Sequence, residues 1–156
     1  MQVTLIERQP LAVLALRHTG PYGAGVAAFW QQVVYPWLAA NQRLGQPLYG
    51  VSYDNPLTTD PALCRYDACV AAGATLAVPG NSRPALLAGG TYAVSAFRGT
   101  VADMAHAWGT LRDEWLPANR LRPDGRPFLE LYPADPAYDP HTGAFSCELA
   151  LPTAPV

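Results

Sequence analysis

Val26, Trp30, Val33 and Trp37 recur at intervals of three and four residues, the spacing that places large apolar side chains on one face of an α-helix. Met104, Trp108, Leu111 and Trp115 do the same, each 78 positions later. The strand-like segments are also duplicated. "QPLYGVSYDNP" (46–56) aligns with "RPFLELYPADP" (126–136), and "LAVLALRHTG" (11–20) resembles "TYAVSAFRG" (91–99). Order, spacing and element type recur together, which marks an internal repeat of about 75–80 residues.

Each copy reads as strand, helix, strand, strand. In the first, residues 3–16 are strand-like and broken or bulged at Pro10, and a "HTGPYG" turn leads into a helix over 23–40. Pro36 is expected to kink that helix or end its regular part near Tyr35. Strands over 48–53 and 65–72 follow, joined by the turn-rich "DNPLTTDPALC". In the second copy a strand over 86–97 is interrupted at Gly89-Gly90. Thr100 and Asp103 form a capping box opening a helix that runs to about Trp115, and strands over 128–132 and 145–151 complete the unit. The expected fold is α+β: one domain over 1–156, with repeat one at about 1–78 and repeat two at about 84–153. Approximate two-fold symmetry would surround a central cleft, a favoured place for ligands.

Half of the 156 residues are hydrophobic and 14% are charged, enough for a packed core. The net charge is −2 and no basic run occurs, which argues against direct nucleic-acid binding. "MQVTLIERQP" lacks the basic start and apolar run of an export signal, and no apolar stretch approaches the roughly 18 residues of a membrane span. With no export signal, Cys64, Cys69 and Cys147 read as reduced thiols in a cytoplasmic protein. His18, His106 and His141 are scattered, so neither a metal nor a cofactor is expected. "GGTYAVSAFRG" lacks the ending of a phosphate loop, and "GVSYD" lacks the second glycine of a nucleophile elbow. Asp54 is expected to close the "YDNP" turn and Asp67 to pair with an arginine.

One residue conflicts with its setting. Glu130 lies inside "FLELYP", a short apolar strand, where burying a carboxylate costs several kcal/mol unless it is paired. It either faces solvent or an arginine such as Arg126, or meets a ligand. The 80-residue offset sets it opposite Gly50, with Phe128 opposite Leu48 and Tyr132 opposite Ser52. If these faces meet, a carboxylate between two aromatics would look onto open space, which suits a flat apolar cation. Tyr49, Tyr66, Trp108, Phe128 and Tyr132 are the expected aromatic wall, although strand parity separates Tyr49 from 48, 50 and 52.

"LRHTGPY" (16–22), "YGVSYDNP" (49–56), "CRYDACV" (64–70), "GGTYAVSAFRG" (89–99), "WLP" (115–117) and "FLELYP" (128–133) together resemble the gyrase-inhibitor-like family. This is the effector-binding domain of AraC/Rob and BmrR type regulators. The resemblance implies two strand-helix-strand-strand modules around a pocket for lipophilic, often cationic compounds, with Glu130 meeting the ligand's charge. It leaves no room for a helix-turn-helix domain, and so implies a stand-alone drug or metabolite binder with no direct nucleic-acid contact. DNA gyrase is its candidate protein partner. Some relatives hydrolyse strained cyclopropane-containing toxins, and for that alternative Glu130, Trp108 and Glu148 are the catalytic candidates.

Overall fold

A computed structural model describes residues 1–74 and 78–156. Pro10 and the Gly89-Gly90 pair each cut a predicted strand in two, and the severed halves join different parts of the sheet. β1 (Thr4–Arg8) and β2 (Leu11–Thr19) flank Pro10; β5 (Arg83–Leu87) and β6 (Gly90–Gly99) flank Gly89. The remaining strands are β3 (Leu48–Ser52), β4 (Arg65–Ala71), β7 (Leu121–Pro123), β8 (Phe128–Tyr132) and β9 (Phe145–Pro155). The antiparallel order is β1-β6-β9-β8-β3-β4-β2-β5, with β7 adding to β9. Thus β3-β4-β2 and β8-β9-β6 run outward from the centre as equivalent halves, but β1 edges the second half and β5 the first.

Breaks at Pro10 and at Gly89-Gly90 were expected; the exchange of β1 and β5 between the halves goes beyond that expectation. Proline cannot donate to a ladder, and glycine permits a close approach. A Cβ on Gly89 would lie 2.8 Å from Pro10 Cδ and 2.9 Å from the Arg8 carbonyl, so the two connections pack against each other. The sheet curls as a half-barrel.

Two helical segments cover one face. The first comprises α1 (Ala24–Phe29), a π-helical turn over Trp30–Val34, and α2 (Tyr35–Ala40). The second comprises α3 (Val101–Thr110), a π-helical turn over Leu111–Trp115, and α4 (Leu116–Ala118), three residues beyond the predicted end. Each wide turn ends two residues before a proline, Pro36 or Pro117. A proline has no N–H for the usual i−4 bond, and just ahead of it the Tyr35 and Leu116 N–H groups reach back five residues, to the Trp30 and Leu111 carbonyls.

In the first helix this widening moves the apolar face. Val33, predicted to be inward, is 41% exposed, and Val34 is buried in its place. The capping box holds as predicted: the Thr100 side chain accepts from the Asp103 N–H, and the Asp103 carboxylate accepts from the Thr100 N–H.

Beneath the first helix pack Leu14, Leu16, Leu48, Ala68 and Val70, with Trp30 and Trp37 against them. Beneath the second lie Ala93, Leu149, Leu151 and Phe97, with Trp108 and Trp115. The opposite sheet face carries its own cluster, including Val13, Val51, Tyr92, Val94, Leu129 and Leu131. At its margin the fully buried Asp67 accepts from Arg17 and Arg83 and from the Tyr53 hydroxyl at 2.7 Å. Burial alone would raise the Asp67 pKa, but the hydrogen bonds from Arg83, Arg17 and Tyr53 outweigh it and hold the group below the usual carboxylate range. Asp54 differs from expectation: its carboxylate binds the Arg65 side chain and N–H, and Asn55 makes the local turn by accepting from the Leu57 N–H. The three cysteines are buried and unpaired.

Candidate functional site

The third residue of β8 is Glu130, and its cross-strand neighbours are Gly50 of β3 and Leu149 of β9. Strand alternation sends its side chain, with those of Phe128 and Tyr132, to the helix-covered face. Glu130 is only 7% exposed there. The Tyr66 hydroxyl donates to Oε1 at 2.8 Å, and the Tyr132 hydroxyl donates to the same oxygen at 2.8 Å. Trp30 Nε1 in turn donates to the Tyr66 hydroxyl at 2.9 Å. The second helix brings Trp108 against Phe128, with ring centroids 5.0 Å apart.

No basic side chain among the described residues pairs with this carboxylate. The sequence contains no lysine. Arg126, the nearest arginine in sequence, binds Asp124 at 2.8 Å and donates to the carbonyls of Gly89 and Thr91 at 2.6 and 2.9 Å. Burial pushes the Glu130 pKa up, and hydrogen bonds from Tyr132 and Tyr66 only partly offset that rise. Both phenols are pushed well above their ordinary value, first by burial and then by the Glu130 charge, so they stay protonated donors.

Gly50 makes room for this arrangement. A Cβ there would lie 2.6 Å from Glu130 Oε1 and closer still to the Tyr66 hydroxyl. The predicted proximity of Glu130, Gly50, Tyr66, Phe128 and Tyr132 is therefore present on one face, with Trp108 adjoining through Phe128.

Tyr49 does not join them. It packs against the cluster on the opposite face, because the residue next to Gly50 in a strand must point the other way. Glu148 is also misplaced for a two-carboxylate site. It pairs with Leu131 in the β8–β9 register, so it shares Leu131's face and is exposed. Tyr49 and Glu148 instead line a separate cleft of about 370 Å³, with Arg8, Leu131, Tyr132 and Cys147 among its other walls.

Trp30 also joins the Glu130 cluster through the Tyr66 hydroxyl, although the expected aromatic wall included only Trp108 of the two equivalent tryptophans. Its signal was available: both tryptophans occupy the same place in the two helical rows. Its ring also lies edge-on to Tyr132, with centroids 5.6 Å apart. Among the described residues no group of three or more His, Cys, Asp or Glu side chains is placed to hold a metal.

A curled sheet that buries an acidic group beneath aromatic side chains and paired helices is the build of a small-molecule-binding domain. Residues 1–154 match the GyrI-like small molecule binding domain, and the chain belongs to that family. It is 34% identical over 139 residues to a DNA gyrase inhibitor of Edwardsiella ictaluri (strain 93-146), covering 86% of this chain and 88% of the relative. The EcmrR C-terminal domain superposes with a TM-score of 0.75 at 15% identity, covering 99% of this chain and 98% of that one. SAV2435 bound to tetraphenylphosphonium superposes with a TM-score of 0.66 at 18% identity, covering 99% and 94%. At these identities the two structures establish a shared fold.

Proposed function

We propose that this protein binds lipophilic cations at Glu130 and sequesters or senses its ligand in the cytoplasm. The whole chain would act as one domain, with the repeats at about 1–78 and 84–153 supplying opposite walls of the site. One observation carries the reading: Glu130 is buried among aromatics and accepts two phenolic hydrogen bonds, with no basic side chain beside it among the described residues. A buried charge without a counter-charge lowers stability, and a cationic ligand supplies the missing partner. Trp108, Phe128, Tyr132 and Tyr66 would contact its apolar body. The tetraphenylphosphonium bound by SAV2435 is a ligand of this chemical kind.

Titration with a small set of lipophilic cationic dyes, followed by tryptophan quenching, tests the reading on wild type and Glu130→Gln. Micromolar binding should weaken at least about tenfold in the variant, or about 1.4 kcal/mol, with the dye returned chemically unchanged. Equal affinity in both proteins would remove Glu130 from the site. A carboxylate-dependent hydrolase is the weaker alternative, since Glu148 lies on the other sheet face.

The Edwardsiella relative's name supports a second reading, inhibition of DNA gyrase through protein contact. A supercoiling assay tests it. Inhibition by wild type and Glu130→Gln alike would place that activity on a surface independent of the ligand site.

A further inference from the structure

The two oxygens of Glu130 are not equivalent. Oε1 accepts from both Tyr66 and Tyr132, whereas no side chain or backbone N–H among the described residues donates to Oε2. The direction of the hydrogen bonds is set by Trp30. An indole nitrogen only donates, so the Tyr66 hydroxyl must accept from Trp30 and direct its own proton to Oε1.

Oε2 is also not fully sealed. The sealed, unpartnered polar side-chain atoms among the described residues are His18 Nε2, Trp37 Nε1 and Thr153 Oγ1. Glu130 Oε2 is not one of them, so it keeps a trace of the 7% exposure left to Glu130. One oxygen is thus held by two phenols, while the other has no donor among the described residues and, when ionised, is left to accept from a ligand. A hydrogen bond to an ionised acceptor is shorter and roughly twice as strong as a neutral one.

We infer that the preferred ligands are lipophilic amines bound in protonated form, giving an N–H to Glu130 Oε2, rather than permanently charged cations that lack one. This inference rests on the cation-binding reading and narrows it. A quaternary ammonium or phosphonium gains attraction to the carboxylate and contact with the rings, but leaves Oε2 without a donor. A tertiary ammonium supplies that donor and keeps the same charge. Tyr66 and Tyr132 act as positioning residues, since their hold on Oε1 orients Oε2 toward the ligand.

The test is a matched pair titrated calorimetrically at pH 7: imipramine, a lipophilic tertiary amine protonated at that pH, and its N-methyl quaternary salt. Wild type should bind imipramine at least about tenfold more tightly, equivalent to about 1.4 kcal/mol. In Glu130→Gln both should weaken and the difference should vanish. A preference caused by the bulk of the added methyl would instead persist in the variant and overturn the inference. Equal or tighter binding of the quaternary salt to wild type, with both weakened in the variant, would overturn the N–H preference and leave cation binding intact. Binding of neither compound to wild type would overturn the cation reading and this inference together.

Discussion

Gly50 and Glu130 face each other across the β3–β8 ladder and are separated by 80 residues, the interval at which the two strand motifs repeat. Of the sequence-equivalent positions in this ladder Gly50 and Glu130 alone are cross-strand partners, which puts the pair on the local two-fold axis; the antiparallel register crosses the expected pairs, setting Leu48 opposite Tyr132 and Ser52 opposite Phe128. Two glutamates there would repel each other in a buried setting. One repeat carries the acid and the other a residue with no side chain.

Gly50→Ala tests this division. Its Cβ would meet Glu130 Oε1 and the Tyr66 hydroxyl, both held in place by hydrogen bonds. Overpacking of this kind costs about 1–3 kcal/mol. Urea denaturation should show that loss, and affinity for cationic dyes should fall with it. Unchanged stability and affinity would mean that the two side chains move aside freely.

Glu130→Gln is predicted to stabilise the protein without ligand. The folded-state pKa of Glu130 is raised above its unfolded value. Below the unfolded pKa, about 4.3, the carboxyl is protonated in both states and carries no charge penalty. As pH rises through the folded pKa, the folded state must ionise a buried group and stability falls. At pH 7 the variant should therefore melt above wild type by roughly 2–4 °C, for a difference of about 1 kcal/mol. The gap should shrink as pH falls toward 4. A constant gap would assign the effect to packing.

Asp67 has the opposite sign. Its folded-state pKa is lowered, so its ion-pair stabilisation is present above the unfolded pKa, about 3.9, and is lost as pH falls through the folded value. Asp67→Asn leaves Arg17 and Arg83 without their carboxylate and should cost about 3 kcal/mol at pH 7. That loss should diminish on acidification. Because Asp67 lies on the face opposite Glu130, dye affinity of the folded fraction should stay within about twofold of wild type.

At the start of α3, Thr100→Ala removes the acceptor for the Asp103 N–H and should cost about 1 kcal/mol. Thr100→Asp can still accept that bond and should recover most of it. Thermal melts of the two variants decide the matter.

Much of this arrangement was legible because short-range physics writes it into the chain. Alternation within "FLELYP" put Glu130 with Phe128 and Tyr132, and the repeat interval put Gly50 opposite. Thr100 and Asp103 announced a helix start through a hydrogen-bond pattern that spans only three residues. The misses involved longer range or small shifts. Nothing local to residues 3–16 tells β1 to leave its own repeat for β6; Pro10 marks the break but not the destination. The π-helical turn inserts a residue into the 3.6-residue period, so Val34 takes the inward place expected of Val33. Strand β7 is three residues long, too short to show an alternation. Tyr49 was assigned against its own parity because its aromatic ring outweighed the period of the strand.

Ligand binding is predicted to depend above all on the charge of Glu130. Isothermal titration of wild type and Glu130→Gln with a lipophilic cationic dye and with a neutral analogue of similar shape measures it. We predict that the variant loses at least about tenfold in affinity for the cation, about 1.4 kcal/mol, and binds the neutral compound as wild type does. Equal cation affinity in the two proteins would contradict the account and leave the buried carboxylate with a purely structural role.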